Sequence, residues 1–253
     1  MDAVRMTRWG VVLVASVLLA SFATLATPPF YGTIGIDPDI ILPTDPSAFL
    51  QVSYVRRDAR TLFDRRTGLS DRIERVHILI ATFDDGDDIE FRVHPEFAAE
   101  ASAEAAAARY AYVIGQLPYV LRRRLRSVAV LMGVQPFGGD ARHGEILIHT
   151  GQARQYENEG ILEETLVHEA CHVSLDVLHA RAGGWIAAQQ ADGEFISIYA
   201  RDHPVREDVA ESFLPYYAVR YRSGRISAEM LRSIEETIPH RIAYFDEHVP
   251  LGP

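Results

Sequence analysis

The chain has 253 residues, 48% apolar and 24% charged, the proportions of a globular protein and not of a disordered, collagen-like or multi-span membrane chain. All 25 basic residues are arginine, set against 35 acidic ones for a formal charge of −10, which argues against a broad nucleic-acid surface. The single cysteine, Cys171, excludes an internal disulfide and a CxxC zinc knuckle, so stability has to come from the core.

In chain order, Arg5 and Arg8 precede an uncharged run from Trp9 to Thr27, a positive segment followed by an apolar one. Small residues at Ser21 and Ala23, or Thr24 and Ala26, offer cleavage sites, so residues 1–27 are expected to be a signal peptide. The alternative is an uncleaved membrane anchor, since about 18 apolar residues just span a bilayer. Either reading places the remainder outside the cytoplasm, periplasmic or secreted, with membrane contact only through this segment. Residues 28–48 carry five prolines and no periodicity, which suggests an extended lead-in.

Residues 49–253 are expected to form the main domain. A helical stretch is expected at 49–66. Val76 to Phe83 is a β-branched apolar run ending in Asp84-Asp85-Gly86-Asp87-Asp88, and Ile89 to His94 alternates, which predicts a hairpin. Glu96 to Gln116 is alanine-rich and helical, stopping before Pro118. The run Arg122-Arg123-Arg124-Leu125-Arg126 reads as a solvated helix end. Strands are expected at 128–134 and 145–150, separated by the glycine-rich GVQPFGGDARHG. From Gly160 onward the pattern is helical, with a glycine-containing break at 183–193. Strands first and helices afterwards indicate an α+β fold.

His168-Glu169-Ala170-Cys171-His172 lies in the segment Gly160 to Arg181. On a helix the two histidines are about 40° apart, so their rings can converge on one ion. Leu162, Leu166, Ala170, Val173 and Val177 gather on the opposite side, as a buried back would require. Two neutral imidazoles suit Zn2+, with a third protein ligand and an open position for water, and Glu169 is placed to act as general base. The competing reading is a solvated charged face, because Glu163-Glu164 read as surface charge. Cys171, between the motif's fixed positions, reads as a small buried filler.

Glu207 follows 35 residues after His172, and Glu211 shares its helix face. One carboxylate can complete the metal shell while the other accepts the free N–H of a ligand histidine. Glu207 is assigned as ligand and Glu211 as the outer partner, with the reverse left open. Asp176 can orient a ligand histidine. His179 reads as a polar residue at the helix end.

HEACH followed by EDVAES resembles the gluzincin metallopeptidases, with their HExxH and distant ExxxD or ExxxE, in the branch that holds the catalytic domain of anthrax lethal factor. That branch has a Ser-Tyr element shortly before the ligand glutamate. Here it is matched by Ser197-Ile198-Tyr199-Ala200, one residue longer. The resemblance covers roughly residues 145–220. It implies a zincin-like domain of α+β class, one Zn2+ on His168, His172 and Glu207, Glu169 as base, and Tyr199 as hydroxyl donor to the oxyanion. It also implies a peptide or protein substrate, held along the strand 145–150. Separately from the resemblance, His203 is a candidate helper to Tyr199, the alternative being a surface histidine in the loop before Pro204. A metzincin would need glycine and histidine where the chain has Leu175 and Leu178. The reading outside the enzyme class is a non-catalytic zinc-binding or partner-binding domain of the cell envelope.

Overall fold

The computed structural model describes residues 27–36, 39–249 and 251. The expected signal peptide or anchor lies almost wholly outside them. Among the described residues no helix is long and apolar enough to cross a membrane.

Six strands form one mixed sheet: β1 (Phe49–Asp64), β2 (Leu69–Phe83), β3 (Asp88–Val93), β4 (Ser127–Leu131), β5 (Gly138–Asp140) and β6 (Glu145–His149), in the order β1-β2-β3-β4-β6-β5. β1, β2 and β3 run antiparallel, β4 and β6 continue parallel to β3, and β5 pairs antiparallel to β6. Helices α1 (Glu100–Gln116) and α2 (Tyr119–Arg122) link β3 to β4. After the sheet come α3 (Thr150–Glu159), α4 (Leu162–Ser174), α5 (Asp176–His179), α6 (Gly183–Asp192), α7 (Ile198–Asp202), α8 (Asp208–Tyr221), α9 (Ala228–Thr237) and α10 (Pro239–His248).

Alternation along the strands sorts the side chains to two faces. Leu79, Ala81, Val128, Val130, Ile146 and Ile148 point into the main core with the helices. Their neighbours Val76, Ile78, Ala129, Leu131 and Leu147 form a smaller cluster on the other face, closed by Leu62 of the hairpin. Each fully buried large apolar side chain contributes about 1.5–3 kcal/mol.

The expected helix at 49–66 is strand β1. It pairs with β2 along almost its whole length, and Val52 and Tyr54 reach the main core at a period of two. Cross-strand pairing overrides the local helical preference. The expected break at 183–193 is helix α6. Its glycines begin the helix, where a Cβ on Gly184 would lie 3.0 Å from the Tyr244 ring, and Gly193 ends it with φ +69°. The glycine-rich link holds β5, which makes β6 an interior strand and moves the exposed sheet edge to residues 138–140.

Three burial readings also change. Glu163 and Glu164 are buried, at 6% and 1% exposure. Arg122 is buried too, paired with Asp85 at 2.6 Å and set over the Phe83 ring. Val177 is 54% exposed, because the helix is interrupted at Leu175 and α5 begins afresh at Asp176. The rest of the α4 back is buried as expected, and Cys171 is enclosed in the main core, where burial pushes its thiol pKa well up.

Candidate metal centre

Helix α4 buries Leu166, Ala170 and Val173 in the main core. That fixes its rotation and turns His168, Glu169 and His172 toward a cleft of about 920 Å³. Residues Glu163 and Glu164 occupy its first turn, where the helix dipole favours negative charge. Helix α8 packs against α4, with Phe213, Tyr216 and Tyr217 buried in the same core, and Glu207, at its N-cap, faces both histidines.

Three atoms converge. His168 Nε2 and His172 Nε2 are 3.1 Å apart, and Glu207 Oε2 lies 3.3 Å from the first and 3.2 Å from the second. A tetrahedral ion with ligands at about 2.0–2.1 Å requires edges of about 3.3 Å between them. The triangle therefore fits one face of such a tetrahedron. A single proton can bridge only two of the three atoms, and Glu207 Oε2 is buried without a hydrogen-bond partner among the described residues. His168, His172 and Glu207 can thus hold a metal ion.

The surroundings aim each ligand. His172 Nδ1 is 2.7 Å from Asp176 Oδ2, which directs Nε2 to the triangle. Burial opposes a charge on His172, but Asp176 and Glu207 outweigh it and raise its pKa. Burial likewise opposes the Glu207 carboxylate, yet the imidazoles of His168 and His172 hold it well below the usual range. The Oε1 of Glu207 accepts from the Tyr199 hydroxyl at 3.1 Å and from Arg206 Nε at 2.5 Å, leaving Oε2 to the centre. Glu211, 1% exposed, sits behind His168 with Oε1 3.4 Å from its Nδ1. Of the two carboxylates, Glu207 joins the triangle and Glu211 stands outside it.

Glu169 and Tyr199 both line the cleft, and burial and Glu207 both raise the Tyr199 pKa. His203 does not line it. Its ring meets Tyr199 edge-on at 5.1 Å, and its carbonyl accepts the Glu207 N–H at 2.9 Å, so it braces the loop. His179 closes α5 as expected, and it is buried there, paired with the Tyr244 hydroxyl at 2.8 Å. Strand β5 borders the cleft through Gly139 and Asp140. A Cβ on Gly139 would lie 2.2 Å from the Glu169 carbonyl oxygen, so only glycine permits this approach.

Sequence reasoning missed three contributors. Arg206, adjacent to Glu207, was open to suspicion as a charge partner. Ser197 donates to Glu211 Oε2 at 2.6 Å, although it was noticed only as part of the Ser-Tyr element. Thr33 donates its N–H to the same oxygen at 2.9 Å and carries no sequence signal. The chain matches no family model, no curated protein and no solved structure.

Proposed function

We propose that the protein is an exported zinc metallopeptidase that hydrolyses peptide bonds in a peptide or protein substrate. The observation that carries this reading is the triangle of His168 Nε2, His172 Nε2 and Glu207 Oε2, 3.1 to 3.3 Å on a side, with Glu169 from the same helix lining the same cleft. Two imidazoles and one carboxylate are a zinc donor set that leaves a position open. Zinc, when bound, supplies a Lewis acid that acidifies water and polarises a carbonyl.

The chain's own residues do the rest. Glu169 takes the proton of the attacking water and delivers it to the leaving nitrogen, a role that contributes about 10²–10⁴-fold. The Tyr199 hydroxyl turns from Glu207 to the oxygen on which negative charge develops. Asp176 and Glu211 keep the two imidazoles aimed. The free edge of β5 offers backbone groups to an extended substrate. The resemblance of HEACH, EDVAES and Ser197–Tyr199 to gluzincins supports this reading, as does a mixed sheet with a short antiparallel edge strand beside the HEACH helix. Arg5, Arg8 and the uncharged run that follows support export.

The test is metal analysis together with cleavage of unfolded casein, for the wild type and Glu169→Gln. One zinc per chain in both proteins, with cleavage lost in the variant, is the expected result. Equal cleavage in the variant removes the mechanism, and a metal-bearing chain that cleaves nothing favours the binding-domain reading.

A further inference from the structure

Among the described residues the lead-in does not line the cleft; its first residues pack against Ser197 and Glu211 behind the metal centre. Phe30 pairs in parallel with Ser197, its N–H reaching the Ile196 carbonyl at 3.3 Å and its carbonyl accepting from Ile198 at 2.9 Å. The Tyr31 carbonyl accepts the Tyr199 N–H at 3.0 Å. Thr33, fully buried, then reaches α8 twice. Its N–H donates to Glu211 Oε2 at 2.9 Å, and its hydroxyl donates to the Glu211 carbonyl at 3.0 Å.

The division of labour on Glu211 is specific. Thr33 N and Ser197 Oγ both occupy Oε2, and Oε1 is left facing His168 Nδ1 at 3.4 Å. Without those two donors a carboxylate at this depth would rotate to satisfy its own oxygens, because an unpaired buried charge is costly. His168 Nδ1, buried without a hydrogen bond of its own among the described residues, would lose the carboxylate that faces it at 3.4 Å and with it the group placed to orient the ring. Among the described residues no part of segment 27–36 lines the cleft, so this stretch supports the centre and does not plug it.

We infer that the arm Pro28–Thr33 is a built-in part of the metal centre, with Thr33 the positioning residue that aims Glu211 at His168. This rests on the metal reading given above. Groups that orient a ligand histidine are worth about 10–100-fold in metal affinity, and the arm supplies one of the two donors that hold such a group.

The test uses the full chain and Zn2+ alone as probe. Affinity is measured by chelator competition for the wild type, Thr33→Pro, which deletes both the N–H and the hydroxyl donor, and Thr33→Ser, which keeps both. Thr33→Pro is expected to bind about tenfold more weakly, and Thr33→Ser to match the wild type. Independently of any variant, hydrogen exchange at the Thr33 amide is expected to slow when Zn2+ is added, because coupling between two sites is reciprocal. Equal affinity in a folded Thr33→Pro chain, or a Thr33 exchange rate that Zn2+ leaves unchanged, overturns the role. A wild-type chain that takes up no Zn2+ overturns the metal reading itself and is recognised before any variant is compared.

Discussion

Asp176 Oδ2 stands 2.7 Å from His172 Nδ1, one turn further on and beyond the interruption at Leu175. The carboxylate meets the outer nitrogen of the ring and leaves Nε2 to face His168.

Asp176→Asn keeps the shape of this contact but removes its charge. Metal affinity, measured by chelator competition, is expected to fall about 10–100-fold with the fold retained. An unchanged affinity would show that His172 is oriented by packing alone.

Glu164 gives a pH dependence of known sign. Burial pushes its pKa from 4.5 up to about 7, against the opposing N–H bonds from Ile41 and Ile40. Between those two values the folded chain binds the extra proton, so stability falls as pH rises from about 4.5 to about 7 and then levels. The loss from this one group is on the order of 3 kcal/mol. Glu164→Gln should flatten that part of the curve in urea titrations at several pH values, whereas parallel curves would exclude Glu164 as its source.

Gly139→Ala should damage both stability and cleavage. The added methyl meets the Glu169 carbonyl at 2.2 Å, a backbone atom that cannot turn aside, and such overpacking costs about 1–3 kcal/mol. For a chain of this size that corresponds to a fall in Tm of roughly 2–4 °C per kcal/mol. A variant with wild-type Tm and wild-type casein cleavage would mean that β5 moves freely off α4.

The parts of the centre that were legible in the sequence are those with a local period. His168 and His172, and again Glu207 and Glu211, are four residues apart on helices, so their shared faces follow from geometry. The hairpin of β2 and β3 and the helix α1 were legible for the same reason. Strand β1 was not, because its partner β2 and not its own residue pattern decides its conformation. Strand β5 has three residues, two of them glycine, and too little side chain to show any period. Glu163 and Glu164 illustrate the opposite failure. Charge suggested a wet surface, but Glu164 is enclosed by the lead-in, whose backbone amides it accepts. Thr33 could not be found at all, since its contribution to the centre is a backbone N–H, a group every residue except proline has.

Thr33 and Glu211 are 178 residues apart, and that span sets the order in which the chain can be completed. Joining such distant segments is entropically late in folding, after local helices and hairpins have formed. While the protein emerges from a ribosome or crosses a membrane N-terminus first, the arm must wait for almost the whole chain to follow before it can seat. A product truncated between α4 and α8 would carry both histidines yet lack the finished centre. The three metal-facing side chains and the arm behind them would therefore come together only once α8 has been added, and not on shorter chains.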